Sequence, residues 1–348
     1  MSAPIRVQAQ PLQEFVQALF AQAGLSADAA ASVARALVWA DLRGIDTHGI
    51  SRIGSYMALL DKGVMKAQPT WRVLHDTPAV QVFDADASAG APAMDHAVEQ
   101  AALKARALGL GLVMVRGTTH TGALGCFTQA LARQGMVGVA LAASIPLMAY
   151  HGAKAAGVST APLSIAVPGP DDEPMILDMA SGAISMGQLR AAKQSNTPLA
   201  EGVALDAQGE VTTDAQQASI VLPMAGPKGS GLALMFELLC SLVVGNPIIA
   251  DYFSDKPAGR RHRQNAWVLA VDVARFGDLA HYQQEVARTV AAIAGLPSRE
   301  PQGVRMPGER GRLSLQRRLR EGIPVPPAVA RELADLPRPG GLALPWAD

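Results

Sequence analysis

Segments with helical and strand periodicity alternate along the middle of this chain, and this alternation constrains its fold more than any other feature. The predicted elements of this stretch are a helix at 94–107, a strand at 112–115, a helix at 123–133, and strands at 137–142, 163–167 and 175–177. Such alternation is typical of an α/β protein with helices packed on a sheet. The pattern leaves the strand order of that sheet open.

The first part of the chain has helical patterns instead. Apolar residues between Leu12 and Phe20 recur at helical spacing, and Gly24 is placed to end that helix. Ser26 is a suitable N-cap for a second, alanine-rich helix over 27–42, and Gly44 can end it in a left-handed turn. These segments predict a helical hairpin.

Three further segments have recognisable patterns. A helix is predicted from Ile53 to Leu60, and strands at 71–74 and 80–83 flank a turn at Asp76-Thr77-Pro78. The apolar segment 232–243 predicts a buried helix. The arginine-rich tail from about Leu296 is either a solvated arm or a helix packed on the surface.

Composition excludes several classes of protein. At 348 residues and 49% hydrophobic content, the chain can bury the core of two domains or of one large α/β body. Its 30 basic and 30 acidic residues cancel, so no net charge favours nucleic acid or an anionic membrane. The two cysteines, Cys126 and Cys240, lack the spacing of a zinc site or a disulfide framework. That spacing also leads us to expect no bound metal. The chain shows neither a secretory signal nor an uninterrupted apolar span, so we expect a cytoplasmic protein.

The first polar cluster that could carry chemistry is Asp46-Thr47-His48-Gly49 with Arg52. If His48 and Arg52 are both helical, they share a face, so that the guanidinium could bind a carboxylate while the imidazole exchanges a proton beside it. A capped helix start with an ordinary surface arginine explains the same residues.

Two other clusters lie before predicted helices. Arg116 to Gly122 follows the strand at 112–115, where ligands of α/β proteins gather, although His120 could equally be a satisfied loop histidine. Ala225 to Gly231 places Lys228 in a glycine-rich turn that suits a phosphate, and a plain helix start is the alternative. The chain contains neither G-x-G-x-x-G nor a Walker A loop, so a dinucleotide would have to bind outside the familiar Rossmann turn.

Taken in this order, the segments resemble the malate/L-lactate dehydrogenase family of NAD(P)-dependent oxidoreductases, which lies outside the Rossmann superfamily. The resemblance runs through residues 40–49, 226–235 and 304–310 and so covers nearly the whole chain. Three separated motifs in the right order make chance agreement improbable. Members of this family include ureidoglycolate dehydrogenase, diketogulonate reductase and cyclic-imine carboxylate reductases.

The resemblance implies an architecture. It predicts a non-Rossmann, mixed-sheet NAD(P)-binding domain at 71–295, a helical substrate-side domain at 1–70, and a C-terminal arm at 296–348 that returns to the helical domain. It further implies a homodimer, with cofactor and substrate in a cleft between the two domains and the partner subunit nearby.

The resemblance also assigns roles to residues. Thr47 and His48 match a proton relay and donor, Arg52 matches the arginine that binds the substrate carboxylate, and His120 matches a histidine proposed as acid or base. The residues predicted to bind NAD or NADP are His120, Thr121, Gly122, Ser144, Thr160, Asp178, Met179, Ala180, Ser181, Lys228, Gly229, Gly308, Glu309 and Arg310.

Four positions depart from the family pattern. Thr121 replaces the phenylalanine of His-Phe-Gly, Ala161 the asparagine of Thr-Asn-Pro, His151 the tryptophan of Pro-Trp-Gly, and Pro227 the histidine of Gly-His-Lys-Gly. These changes remove aromatic rings and add polar groups, so they bear on substrate identity more than on reaction type.

We therefore expect an enzyme that transfers hydride between NAD or NADP and the α-carbon of a small 2-oxo or 2-hydroxy carboxylate. The alternative is a reductase of cyclic imine carboxylates, such as Δ1-piperideine- or Δ1-pyrroline-2-carboxylate. It needs the same carboxylate-binding arginine and the same proton donor. A third reading, from another class, is a noncatalytic cofactor- or carboxylate-binding protein on the same fold.

Overall fold

The computed structural model describes residues 5–254, 262–337 and 341–346. Its N-terminal elements are strand β1 (Ile5–Val7) and helices α1 (Ala9–Gln22), α2 (Ala27–Leu42) and α3 (Ile53–Asp61). The Ser26 side chain accepts a hydrogen bond from the amide of Ala29, and both Gly24 and Gly44 have a positive φ. The predicted hairpin and its capping residues are thus confirmed.

The middle of the chain alternates as predicted, although the bounds differ. Its elements are β2 (Arg72–Asp76), β3 (Val80–Asp84), α4 (Gly90–Leu108), β4 (Leu110–Thr118), α5 (Gly125–Ala132), β5 (Met136–Ala143), β6 (Met148–Ala149), β7 (Ala156–Val158), β8 (Leu163–Val167) and β9 (Met175–Met179). Of these, α4, β4, β5 and β9 are longer than predicted, α5 is shorter than the helix predicted at 123–133, and β8 has the predicted bounds. Strands β2 and β3 form the predicted antiparallel hairpin.

The remaining elements include the rest of the smaller sheet, one strand of the main sheet and the C-terminal helices, which pack against the N-terminal part of the chain. These are α6 (Met186–Ser195), β10 (Ala204–Leu205), β11 (Ile220–Val221), α7 (Pro227–Glu237), α8 (Ile249–Tyr252), β12 (Gln264–Asp272), α9 (Leu279–Ala294), α10 (Glu309–Glu321), β13 (Ile323–Val325) and α11 (Pro327–Asp335). No helix within the described ranges combines the length and apolarity needed to cross a bilayer.

The main sheet is mixed, in agreement with the predicted fold class. Its order is β2-β3-β4-β12-β5-β8-β9, with β3 and β4 parallel and every other neighbouring pair antiparallel. Strand β12, which is late in the sequence, therefore separates β4 from β5. A smaller sheet has the order β10-β11-β6-β7.

The register brings several loops to one edge of the main sheet. Thr118 at the end of β4 pairs with Gln264 at the start of β12, whose next residue pairs with Ala143 at the end of β5. Leu163 at the start of β8 pairs with Met179 at the end of β9. We call this the upper edge, where β4, β5 and β9 end and β8 and β12 begin.

The prediction of a buried helix at 232–243 is wrong in part. Helix α7 starts earlier, at Pro227, and continues as a π-helical segment over Leu238–Leu242. Phe236 and Cys240 are buried in a core shared with the smaller sheet. The opposite face is exposed and apolar, because the sheet covers only one side of a helix that is apolar all round. The exposed residues are Leu232, Met235, Leu239, Leu242 and Val243.

The C-terminal residues pack against the N-terminal helices. Strands β1 and β13 pair antiparallel, and the ring of Trp346 lies 6.3 Å from that of Phe15. The arginine-rich tail forms α10, where Arg318 is buried, so of the two alternatives the packed helix is the observed one. One continuous core joins these helices to β4 and β12, and the domain boundaries at residues 70 and 295 stay predictions.

Candidate active site

Two histidine rings stack on each other between the helical part and the sheet. The centroids of His48 and His120 are 5.4 Å apart, and their planes differ by 25°. They line a small cavity with Tyr56, Thr121 and aliphatic residues of α2 and α4. The structure therefore brings two of the sequence-predicted clusters into one place, although 71 residues separate the two histidines.

The turn that carries His48 is held by a buried carboxyl group. Asp41, near the end of α2, accepts a hydrogen bond of 2.9 Å from the amide of Ile50. A Cβ at Gly49 would lie 1.8 Å from Oδ1 of Asp41, so this close approach requires glycine. Arg318 of α10 donates to the Asp41 carbonyl and to the Asp46 carboxylate, which ties the turn to the C-terminal part.

His48 and Arg52 do not share one helix, contrary to the condition under which the sequence placed them together. They occupy two successive 3-10 turns, Asp46–His48 and Ile50–Arg52, separated at Gly49. The turns still bring the two side chains into one site, because Nε of Arg52 folds back and donates to the Thr47 carbonyl at 2.6 Å. The Thr47 hydroxyl lies 2.9 Å from Nδ1 of His48.

The loop of His120 directly follows β4 and is fixed from two sides. The hydroxyls of Thr118 and Thr119 donate to the Ser88 carbonyl. A Cβ at Gly90 would lie 2.2 Å from the His120 carbonyl oxygen, so the start of α4 touches the loop backbone. The hydroxyl of Tyr56 on α3 lies 2.6 Å from Nδ1 of His120.

Burial keeps both imidazoles neutral. Desolvation, together with the charge of Arg52, lowers the pKa of His48 to about 4. The pKa of His120 lies well below its usual value because of burial and the charges of Arg52 and Arg190. Burial raises the pKa of Tyr56 to about 12. At neutral pH the site thus holds two uncharged rings, a protonated phenol and a cationic guanidinium.

Most residues predicted to bind the cofactor lie at the upper edge. His120, Thr121 and Gly122 follow β4, Ser144 follows β5, and Thr160 precedes β8. Asp178 and Met179 end β9, and Ala180 and Ser181 come next along the chain. The Ser181 amide and hydroxyl both donate to the Thr160 carbonyl at 2.9 Å. The sheet register therefore gathers these segments beside the stacked histidines.

The turn of Lys228 joins the same group. A Cβ at Gly229 would lie 2.7 Å from the Ser181 carbonyl oxygen, so α7 starts in direct contact with the upper-edge loops. Pro227 is the first residue of α7, and Lys228 is exposed on its first turn. The ammonium of Lys228 is a donor that suits a phosphate of a dinucleotide. The amides beside it are not free, because those of Lys228 and Gly229 already donate to the carbonyls of Ala225 and Met224.

Gly308, Glu309 and Arg310 lie further from the histidines, at the start of α10. A Cβ at Gly308 would lie 2.7 Å from the Ile176 carbonyl oxygen of β9, and the Gly308 carbonyl accepts from Arg43. The charge of Arg43 also acts on Asp178, whose pKa burial raises to about 6. This segment therefore borders the Asp178 end of the predicted cofactor groove, with Arg310 exposed.

The four residues that depart from the family pattern have different surroundings. Thr121 is buried and donates to Gln264 through both its amide and its hydroxyl, so its polar atoms bond within the protein. Ala161 is buried at a φ of +24°. His151 lies close to Gly226, the residue before Pro227, because a Cβ at Gly226 would lie 3.3 Å from Nδ1 of His151.

Sequence reasoning missed two residues of the site. Tyr56 occupied an apolar position of a helical pattern, and its hydroxyl gave no separate signal. Arg190 on α6 has no motif, yet its charge lowers the pKa of both Arg52 and His120. Helix α6 packs close to the turn that carries His48, because a Cβ at Gly187 would lie 2.3 Å from Cβ of Thr47.

Comparison with known proteins decides the family. The model of the malate/L-lactate dehydrogenase family matches residues 7–334. The chain belongs to this family. It is 30% identical to the NAD(+)-dependent ureidoglycolate dehydrogenase of Escherichia coli K12, over 92% of this chain and 93% of that protein. It is 34% identical to the NADP(+)-dependent (2R)-3-sulfolactate dehydrogenase of Chromohalobacter salexigens, over 86% and 88% of the two chains.

A solved structure agrees with this assignment. The Δ1-piperideine-2-carboxylate reductase of Pseudomonas syringae superposes with a TM-score of 0.85 at 26% identity, over 95% of this chain and 99% of that chain. The malate/L-lactate dehydrogenase family member described here is thus an NAD(P)-dependent oxidoreductase, as the sequence predicted.

Proposed function

We propose that this family member transfers hydride between NAD or NADP and the α-carbon of a small 2-oxo or 2-hydroxy carboxylate. The observation that carries this proposal is the pair of stacked, neutral imidazoles beside Arg52. The site combines an anion-binding group with two imidazoles that are neutral at pH 7 and can accept a proton. The upper-edge loops that suit a dinucleotide begin directly beside His120.

Arg52 binds the substrate carboxylate in this proposal. The Thr47 carbonyl accepts from Nε of Arg52, which orients the guanidinium and leaves Nη1 and Nη2 for an end-on pair with a carboxylate. Arg52 is largely enclosed by protein, and burial and the charge of Arg190 lower its pKa. A bound carboxylate would compensate these two positive charges, which favours anionic substrates.

His48 exchanges the proton with the substrate oxygen, and the Thr47 hydroxyl at Nδ1 holds the ring and relays the proton. The nicotinamide, when bound, supplies or accepts the hydride. The neutral His48 accepts a proton when a hydroxyl group is oxidised. Burial and, to a smaller extent, the charge of Arg52 lower the pKa of His48. In reduction, a carboxylate on Arg52 cancels the second effect, which raises that pKa and favours protonation of His48.

The cofactor is held by the upper-edge loops and by the first turn of α7. The exposed Lys228 side chain binds the phosphates, and Ser144, Thr160 and Asp178 to Ser181 line the groove. His120 contributes a second ring at the junction of the groove and the substrate site.

The first test is a screen that follows nicotinamide absorbance with 2-oxo acids and with NADH and NADPH in separate assays. Turnover with a 2-oxo acid supports the proposal. The variant His48→Ala should lose about 100-fold or more in kcat while it still binds cofactor. The control is His75→Ala, an exposed histidine on β2, which should retain full turnover. Unchanged turnover in His48→Ala would refute the role of His48.

Reduction of a cyclic imine carboxylate is the second candidate, supported by the superposition on the piperideine-2-carboxylate reductase. It would use the same arginine and deliver the proton to nitrogen instead of oxygen. Parallel assays with Δ1-piperideine-2-carboxylate separate the two candidates. Cofactor binding without turnover of either class would support the noncatalytic alternative.

The proposal extends to assembly and location. The exposed apolar face of α7 and its π-helical continuation fits a homodimer, because such a stripe is costly in water. Sedimentation should give the mass of two chains, and Leu239→Glu should shift it towards one. The free cysteines Cys126 and Cys240 are buried, which suits a cytoplasmic location that cell fractionation can check.

A further inference from the structure

The loop that carries His120 leaves the main sheet at a bulge. Near the end of its pairing with β12, strand β4 has one residue more than its partner, so two residues of β4 stand opposite Asn265 alone. Gly117 is one of these two and has a φ of +69°. Its amide donates to Oδ1 of Asn265 at 2.9 Å. Bulges recur next to active sites, where they change the direction of a strand and its side chains.

Asn265 is held in one orientation by its own contacts. It is buried, and its Nδ2 donates at 2.9 Å both to the Asn246 carbonyl and to the Ser241 hydroxyl. Its Oδ1 accepts from the Gly117 amide and from Nδ2 of Asn246 at 2.8 Å. The amide of Gly117 can only donate and the carbonyl of Asn246 can only accept, so the side-chain amide of Asn265 cannot be reversed. All four of its hydrogen-bonding positions are used, which fixes the start of the loop.

The same network continues into the π-helical segment. Ser241 donates to the buried carboxylate of Glu237 at 2.8 Å, and that carboxylate also accepts from the amides of Ile248 and Ile249. A buried polar network whose members are all bonded is rigid. The π-helical turn therefore provides a fixed support for Asn265, and the proposed hydride transfer uses none of these side chains.

Gln264, the residue before Asn265, binds the other end of the loop. Its Oε1 accepts from both the amide and the hydroxyl of Thr121 at 3.1 Å. Threonine has no other donor, so Thr121 directs its whole donor capacity to one side chain of β12. The Ser88 carbonyl holds the loop before His120, whereas Gln264 holds it immediately after. Loss of the Gln264 amide would therefore free one side of the histidine and leave the other side bonded.

We propose that Gln264 and Asn265 are positioning residues that hold the ring of His120 against that of His48. Two consecutive residues of one strand fix the loop at both ends, and neither of them lines the catalytic cavity. Support from a sheet strand keeps a site residue closer to its working geometry than a free loop can. The expected effect on turnover rests on the proposed function, whereas the position of the ring does not.

The variant Gln264→Met tests this inference on the full chain. It removes the acceptor of Thr121 and keeps a side chain of similar length at a half-buried position, so it should fold. We expect kcat to fall about 5- to 20-fold, and KM for the carboxylate to change less than about twofold because Arg52 lies on a separate turn. The imidazole signals of His120, assigned with His120→Gln in ¹⁵N-histidine spectra, should shift or broaden.

The matched control is Gln283→Met on α9. It also removes one glutamine hydrogen bond to the backbone, which Nε2 of Gln283 donates to the Gly169 carbonyl at 2.9 Å. Gly169 follows the end of β8, at the sheet edge opposite the site. This variant should keep the wild-type kcat and the wild-type His120 spectrum at a similar loss of stability. A purely structural role for Gln264 predicts the same results for the two variants.

Two further variants test the start of the loop. Asn265→Leu leaves the Gly117 amide without its acceptor and should lower kcat more than Gln264→Met does. Ser241→Ala removes only one of the four contacts of Asn265, so it should fold even where Asn265→Leu does not, and it should lower kcat about two- to fivefold. Wild-type kcat and an unchanged His120 spectrum in both variants would exclude a positioning role for Asn265.

The spectrum and the kinetics separate this inference from the proposed function. An unchanged His120 spectrum or a wild-type kcat in Gln264→Met, or equal effects in Gln283→Met, would overturn the inference. If the wild-type chain turns over neither a 2-oxo acid nor a cyclic imine carboxylate, the proposed function fails. The His120 spectrum of Gln264→Met then decides the inference without any measurement of activity.

Discussion

The hydroxyl of Tyr56 lies 2.6 Å from Nδ1 of His120, and this hydrogen bond links α3 to the loop after β4. Tyr56 is 6% exposed, and its hydroxyl has this partner alone among the described residues. If His120 were the donor, the phenolic proton would be left buried and unpaired, which is costly. We therefore predict that Tyr56 donates to Nδ1 and that His120 is protonated at Nε2.

Tyr56→Phe should lower kcat by about 10- to 100-fold, because His120 would lose its orienting partner. The stability loss should be about 1 kcal/mol, the usual cost of one hydrogen bond. Steady-state kinetics and ¹⁵N spectra of His120 check both parts. Tyr282→Phe on α9 is the control, and a Tyr56→Phe enzyme with wild-type kcat and an unchanged His120 spectrum would contradict this reading.

Arg190→Met should discriminate between substrates with one and two negative charges. Arg190 places a second positive charge near Arg52 and His120, so it favours a substrate with a second anionic group. We expect kcat/KM to fall about tenfold for oxaloacetate and less than about threefold for pyruvate. Arg320→Met, an exposed change on α10, should affect neither. Equal losses for both substrates would count against a role for Arg190 in selection.

Asp41→Asn should flatten the pH dependence of stability. Burial raises the pKa of Asp41 to about 8, so the native state holds a proton that the unfolded chain releases near its ordinary pKa of 3.8. The native state thus binds more protons in this window, and the free energy of unfolding falls as pH rises through it. An asparagine can still accept from the Ile50 amide and does not titrate.

Urea unfolding across that window checks this prediction. Asp41→Asn should gain stability relative to the wild-type chain as pH rises, and other titrating groups cancel in the difference. Parallel curves for the two proteins would show that Asp41 has an ordinary pKa.

Ala225→Gly should stabilise the protein by about 0.5–1 kcal/mol. Ala225 is exposed with a φ of +47° just before Gly226, and a left-handed backbone strains alanine but not glycine. The same change at Ala291, exposed in α9, should destabilise by about 1 kcal/mol. Thermal unfolding of both variants measures the two changes in stability, which should have opposite signs. A loss of stability in Ala225→Gly would contradict the argument.

The sequence predicted the elements well because periodicity and capping are local. Ser26, Gly24 and Gly44 act within a few residues of where they stand, so their roles could be read directly. The order of the sheet depends on pairings far apart in the chain, such as Thr118 with Gln264, and no local pattern contains it.

The site was predicted as three separate clusters, and its geometry was not. Position 49 requires glycine because the side chain of Asp41, eight residues earlier, lies against it. His120 is neutral because groups from other elements bury it. Tyr56 and Arg190 have no motif of their own, so they become visible as site residues only once the fold places them.

The position of β12 in the main sheet has a consequence for synthesis of the protein. Strands β4 and β5 leave the ribosome about 130 residues before the strand that must lie between them. At about 5–20 residues per second, their backbone edges wait on the order of ten seconds for a partner. The nascent chain therefore exposes two apolar strand edges during translation, and its folding in the cell calls for protection by chaperones until β12 emerges.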